Sequence, residues 1–158
     1  MAIEMDRRQE RELEAERKAA MAALAQAPAD ELKRLCAAAG MTHEAEMLRG
    51  PETGLVSVRG RIGGGGAPFN FGEATVTRAT ARLPGGEIGH SYALGRDKEK
   101  ARLSAIADAL WQNPTRRAEI EDRILAPLRA AQAEADAIGR AETAATKVDF
   151  FTMVRGED

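Results

Sequence analysis

Cysteine is nearly absent from this chain. Cys36 stands alone among 158 residues, which excludes an internal disulfide and any zinc site built on paired thiolates. Aromatic side chains are scarce too: four phenylalanines, one tyrosine and one tryptophan. Much of the apolar content is alanine, so a thin core and a surface that waits for a partner are expected. Of two histidines, neither has a second at ligand spacing, so His43, Glu44 and Glu46 read as a solvated polar edge rather than a metal set. No run approaches the roughly twenty apolar residues that span a bilayer. The charged stretch from Glu4 to Lys18 contains no signal-peptide apolar region, so a soluble cytoplasmic protein is expected, with no membrane partner. A basic excess is also missing. A net charge of −2 argues against general nucleic-acid binding.

What is present divides into helix, strand and helix. The length suits one domain over residues 1–158. Residues 1–26 alternate acids and bases, with Glu4–Arg8 and Glu14–Lys18 at favourable i,i+4 spacing, and Leu13, Ala20, Met21 and Leu24 trace one face. The first 25 residues read as a charged helical extension. A second helix is expected over 28–39, with Pro28 in its first turn, Asp30 and Glu31 at its positive end and Gly40 as its stop. Cys36 is expected as a small buried apolar residue on its inner face. After Asp97, a capping residue, Leu103, Ile106, Ala107, Leu110 and Trp111 give the clearest helical period in the chain. Asn113 and Pro114 should end that helix and start the next, and Pro127 should interrupt it or begin another. From Leu128 to Lys147 the chain is alanine-rich and helical, with few large apolar anchors.

Strand character is confined to residues 53–95. Met41 to Arg49 is ambiguous between a short helix and a strand, and Pro51 and Gly54 are read as breaks. Leu55–Ile62 is expected as the first strand, with Val56, Val58, Gly60 and Ile62 packed on helices and Leu55, Ser57, Arg59 and Arg61 on the other face. Residues 73–83 form the second strand, with Val76, Arg78, Thr80 and Arg82 on one face. Residues 87–94 form the third, with Ile88, His90, Tyr92 and Leu94 aligned. Pro84-Gly85-Gly86 makes strands two and three an antiparallel hairpin. The expected class is therefore α+β: N-terminal helices, a small antiparallel sheet and C-terminal helices.

The chemistry on offer is thin. Gly63–Gly66 lacks the Lys-Ser/Thr and the helix that a phosphate loop needs, and reads as a hairpin loop. Contact of its backbone N–H groups with an anion is a minority reading. Across residues 53–96, Arg59, Arg61, Arg78, Arg82 and Arg96 face only Glu73 and Glu87, a local charge of +3. If the first two strands pair, four guanidinium groups can crowd one surface and call for anions, with partner carboxylates preferred to substrate phosphates. His90 is the one credible general acid or base, without a local carboxylate to orient it. The apolar end, with Phe150, Phe151, Met153 and Val154, must bury itself on a second copy, on another subunit, or as an edge strand of its own sheet.

Several stretches resemble the PhnG family, a subunit of the bacterial carbon–phosphorus lyase system for phosphonate breakdown. They are Glu-Thr-Gly-Leu-Val at 52–56, Arg-Ile-Gly-Gly-Gly-Gly at 61–66 and Phe-Gly-Glu-Ala-Thr-Val-Thr-Arg-Ala at 71–79. Leu-Gly-Arg-Asp-Lys at 94–98, Ala-Pro-Leu at 126–128 and Val-Asp-Phe-Phe-Thr-Met-Val-Arg-Gly at 148–156 complete the set. The resemblance implies an accessory subunit that works with PhnI, PhnH and PhnJ, and with PhnL for activity. The complex couples an alkylphosphonate to ATP: a phosphonate oxygen attacks C1′ of the ribose and adenine leaves, giving ribose 1-phosphonate 5-triphosphate. PhnJ, a radical enzyme with an iron–sulfur cluster, later breaks the C–P bond. The resemblance carries no catalytic residue onto this chain and implies no cofactor of its own, ATP being a substrate of the complex. One cysteine also cannot hold an iron–sulfur cluster. A homo-oligomer of the isolated chain is left open. So is a direct contribution of Arg59, Arg61, Arg78, Arg82 or His90 to a triphosphate site.

Overall fold

The computed structural model describes residues 2–41 and 44–147. His43 and the apolar end with Phe150, Phe151, Met153 and Val154 lie outside the described residues. The elements run α1 (Ala2–Gln26), α2 (Ala29–Ala38), β1 (Glu46–Gly60), β2 (Phe69–Arg82), β3 (Ile88–Leu94), α3 (Lys98–Gln112), α4 (Arg117–Ile120), a π-turn (Glu121–Leu125) and α5 (Ala126–Ala145). The strands make one antiparallel sheet in the order β1-β2-β3. The α+β class and the β2–β3 hairpin are therefore as the sequence predicts.

Small residues bring α3 onto the sheet. Thr77, Ala79 and Ala81 of β2 and Gly89, Ser91 and Ala93 of β3 alternate as the buried positions facing the helices. Opposite them, Ala101, Ala105 and Ala109 recur every four residues along α3 and are fully buried. The approach is closest at Gly89, where a β-carbon would lie 2.0 Å from the Ala105 carbonyl oxygen and 2.4 Å from the Ala109 nitrogen. On the other side of α3, Trp111, Ile106, Leu32, Ile120, Ile124 and Leu125 close the core. Asp97 caps α3, its Oδ1 accepting from the Lys100 backbone nitrogen (2.8 Å). Cys36 is buried in α2, and burial pushes its thiol up to about 11, so it is an inert apolar residue.

A long-range ion pair fastens α1 to this layer. Arg17 Nε and Nη2 donate to Asp108 Oδ1 (3.0 Å) and Oδ2 (2.8 Å), and the buried Asp108 also accepts from the His90 backbone nitrogen (2.8 Å). The hydrogen bonds that Arg17 donates to Asp108 hold its guanidinium above its ordinary range, against the opposing effect of burial. Gln112 Nε2 donates to the Ile88 carbonyl (2.6 Å), so the outer edge of β3 is occupied by side chains of α3. α1 joins the core only in its second half, through Ala20 and Leu24. Residues 7–16 are exposed, and Leu13, expected on the inner face, stays in solvent.

Four boundaries differ from the sequence reading. β1 begins at Glu46 and runs through Pro51 and Gly54 instead of starting after them. It is an edge strand, where a missing N–H is tolerated, and register shifts between Met47 and Arg49 and between Arg49 and Glu52 place Pro51 at a bulge. β1 also ends at Gly60, so Ile62 sits in a 3-10 turn (Ile62–Gly64) and not in the strand. The helix after α3 starts at Arg117. Asn113 does not cap it directly but holds a preceding turn, its Oδ1 accepting from the Thr115 nitrogen (3.0 Å). Finally, β2 begins at Phe69, not at residue 73, and ends at Arg82, whereas Pro127 begins a new helix as expected, in the first turn of α5.

Candidate functional site

The β1–β2 hairpin carries most of the residues singled out by the sequence, and its register decides what they can do together. At its base, Glu46 pairs with Arg82 and Glu52 with Arg78. Arg78 Nε donates to Glu52 Oε1 (2.6 Å), Arg49 Nη1 reaches the same oxygen (3.0 Å), and Arg82 Nη2 donates to Glu46 Oε2. The Glu46 carboxylate is thus engaged with an arginine. At the outer end, Arg59 pairs with Asn70. Asn70 and Arg78 are eight positions apart along β2, roughly 26 Å of extended strand. The four arginines therefore do not crowd one surface. The two strands do pair, but antiparallel register sends Arg59 and Arg61 to one end of the ribbon and Arg78 and Arg82 to the other.

The two arginine pairs also differ in what they touch. Arg78 and Arg82 have carboxylates of this chain as partners. Arg61 Nη1 donates to the Gly66 carbonyl (3.2 Å) and closes the glycine loop. Arg59 has no carboxylate partner among the described residues. The glycine segment joins two antiparallel strands through a turn in which Gly63 takes a φ of 61°, so it is a hairpin loop followed by strand.

His90 stands on the face of the sheet away from the helices, opposite Thr80, whose hydroxyl lies 3.3 Å from its Nδ1. The carboxylate that meets this residue, Asp108, accepts from its backbone nitrogen. Arg82 borders an open depression of about 690 Å³ with Glu44, Glu46, Leu83 and Pro84, whose acidic rim suits an anion poorly. His90 borders a separate cavity of about 50 Å³ lined by Met21, Leu24, Ser91 and Ser104. The residues proposed from sequence for phosphate contact are thus spread along the hairpin and over one sheet face.

The outer half of the hairpin exposes what the helices do not reach. Val56 and Val58, expected to pack on helices, are only half-buried: opposite Ala74 and Gly72 they share the sheet face of Arg78 and His90, away from the helices. Leu55 is 62 % exposed, Ile62 77 % and Phe71 61 %. An extra residue, Phe71, is inserted opposite the Val58–Arg59 step, and such a bulge re-aims its side chain. The Phe71 ring lies across Gly60, where a β-carbon would be 2.9 Å from Cε1, and is tilted 60° to the Phe69 ring at 6.2 Å.

A further set was missed by sequence reasoning. Trp111 Nε1 donates to Glu121 Oε1 (2.7 Å), Arg129 Nη1 donates to Glu121 Oε2 (2.6 Å), and the Arg117 guanidinium lies 4.5 Å from the Trp111 ring centroid. Burial pushes the Glu121 carboxyl up, but the hydrogen bonds from Arg129 and Trp111 outweigh it and hold the group below its ordinary value. This network ties α3 to the π-turn and α5. Trp111 was legible as a core residue; Glu121 carried no local signal of its role.

Sheet, helices and hairpin together define an α+β protein that, among the described residues, spends its charged groups on ion pairs and its apolar surplus on an extended hairpin. The family pattern of the phosphonate metabolism protein PhnG matches residues 15–156, and the chain belongs to that family. It is 55 % identical, over 91 % of its own length and 92 % of the relative's, to the alpha-D-ribose 1-methylphosphonate 5-triphosphate synthase subunit PhnG of Rhizobium meliloti (strain 1021). The family match begins near Arg17, where α1 first meets the core.

Proposed function

We propose that this chain is an accessory subunit of an alpha-D-ribose 1-methylphosphonate 5-triphosphate synthase, working in the cytoplasm with PhnI, PhnH and PhnJ, and with PhnL for activity. The likeness to the Rhizobium subunit over nearly the whole of both chains carries this reading. The reaction displaces adenine from ATP with an alkylphosphonate oxygen, and the chain serves it by assembling or positioning the subunits that hold the substrates. The apolar end, through Phe150, Phe151, Met153 and Val154, anchors on another subunit. No helix of the described residues is long and apolar enough to cross a membrane, which is compatible with this setting.

A second reading is that arginines of this chain or His90 reach the triphosphate in a partner's site. Arg59, lacking a carboxylate partner among the described residues, is the one observation in its favour. Reconstitution separates the two. Adenine release from ATP and methylphosphonate is measured with the chain alone, with PhnI, PhnH and PhnL alone, and with all four. The expected result is release only with all four. Turnover by the lone chain, or undiminished turnover without it, would sink the accessory role. An Arg59→Ala chain that assembles normally but fails to support release would establish the second reading.

A further inference from the structure

Resting on that reading, we propose that the outer half of the β1–β2 hairpin is a docking arm that inserts into an apolar cleft of another synthase subunit, with a carboxylate on the rim of that cleft to receive Arg59. The arm comprises residues 54–60 of β1, the turn, and residues 69–75 of β2.

Three observations carry the assignment. First, four of the exposed large apolar side chains lie on this one projecting segment. Leu55, Ile62, Phe69 and Phe71 are all exposed, and no helix of the described residues covers them. Exposed apolar groups scattered singly need no explanation, but a cluster on a projecting element marks an interaction surface. Second, the arm is pre-shaped. Its ladder is continuous from Leu55 opposite Thr75 to Val58 opposite Gly72. The bulge at Phe71 then aims that ring, which lies across Gly60, and the pairing resumes from Arg59 opposite Asn70 to Gly60 opposite Phe69. A rigid apolar projection loses little conformational entropy on docking, which favours its use as an anchor. Third, charge identifies the occupant. Residues 54–75 contain Arg59 and Arg61 against Glu73 alone. Arg61 is engaged by the loop carbonyl, while Arg59 has no carboxylate partner among the described residues, although every arginine at the base of the same ribbon has one. Arginine and aromatic side chains carried on one projecting element match the composition of an interface. A second copy of this chain is disfavoured as the occupant. An isologous contact of two arms would set the same basic surfaces against each other.

The test uses the full chain with purified PhnI, PhnH and PhnJ. Affinity is measured by calorimetry for wild type, for Arg59→Ala, and for the triple change Leu55→Ser, Phe69→Ser and Phe71→Ser. Melting temperature and solution mass of each isolated chain are recorded alongside. The expected result is a loss of about 100-fold or more for the triple variant and about 10-fold for Arg59→Ala, with an unchanged melting temperature. Wild-type affinity in the triple variant overturns the arm. So does a lowered melting temperature that truncation at residue 147 reproduces, because the arm would then be covered by the chain's own end. A wild-type dimer that the triple variant breaks while partner affinity stays intact assigns the arm to a second copy instead. Wild-type affinity in Arg59→Ala removes the rim carboxylate. Failure of the wild-type chain to bind any of the three subunits overturns the functional reading itself, and the other outcomes leave that reading standing.

Discussion

The base and the outer half of one hairpin follow opposite rules, although the same two strands build both. At the base, Arg49, Arg78 and Arg82 lie beside Glu46 and Glu52, and Thr77, Ala79 and Ala81 turn into the helices. Polar groups there find polar partners, and small apolar groups find apolar ones. Burial along the fourteen residues of β2 shows the change: the end toward Phe69 is exposed and the end toward Arg82 is mostly buried or half-buried. In the outer half, among the described residues, Arg59 has no carboxylate partner, and Leu55 and Phe71 stay exposed. Composition does not separate the two ends, since both mix arginine with apolar residues. Register does, because it decides which arginine meets a glutamate.

The largest expected effect lies in the body, at the closest approach of helix and sheet. Gly89→Ala puts a β-carbon 2.0 Å from the Ala105 carbonyl oxygen and 2.4 Å from the Ala109 nitrogen, which are backbone atoms of a helix packed on both sides. Neither atom can move without moving α3. A loss of about 3 kcal/mol is expected, at the upper end of the usual overpacking range, lowering the melting temperature by roughly 6–12 °C. Chemical denaturation of the variant checks it. A loss under about 1 kcal/mol would mean that α3 can lift off β3, and the body would no longer be the rigid half of the comparison.

How much of this was legible beforehand depends on the range of the interaction that decides each feature. The α3 period, the Asp97 cap and the β2–β3 turn are local and were readable from spacing alone. Pro51 was read as a break because its neighbours in sequence do not reveal an edge strand, and only sheet order makes a proline there harmless. The crowding of four arginines failed for the same kind of reason: strand faces follow from a period of two, but the pairing offset follows from turn length and bulges. Asp108 was hidden more deeply. It lies 91 residues from Arg17 and on the inner side of an otherwise alanine-lined helix. Of the candidate site, the residue types were visible and their separation was not.

A smaller effect is expected in the network that joins the core to α5. Glu121 has its carboxyl held below the ordinary value of 4.5 in the folded chain. A depressed carboxyl contributes stability that is present above the unfolded value and is lost as pH falls through the folded one. Stability should therefore decline below about pH 4.5, and Glu121→Gln should flatten part of that decline. At pH 7 the same change should cost about 1 kcal/mol, since Gln still accepts from Trp111 but loses its charge toward Arg129. Urea melts at pH 3.5 and pH 7 test the sign. A variant whose stability falls with acid as steeply as wild type would show that Glu121 is not a source of the dependence.

The smallest expected effect on stability is also the one that sharpens the contrast most, because it repeats the glycine change in the outer half of the hairpin. Gly60→Ala brings a β-carbon to 2.9 Å from Phe71 Cε1 and 3.2 Å from Cδ1. These atoms belong to an exposed side chain that can rotate away, not to a buried backbone. Gly60 also sits in strand, where alanine lowers the entropy of the unfolded chain by an amount worth about 0.4–1 kcal/mol where the native conformation admits it. The two contributions oppose each other, and the net change should stay within about 0.5 kcal/mol of wild type. The ring itself must move, however, so any partner that reads the Phe71 position should bind several-fold more weakly to a chain of unchanged stability. Melting temperature and partner affinity measured on the same Gly60→Ala sample decide the matter. A large fall in melting temperature would place Phe71 in the folding core, and the difference between the two ends of the hairpin would disappear.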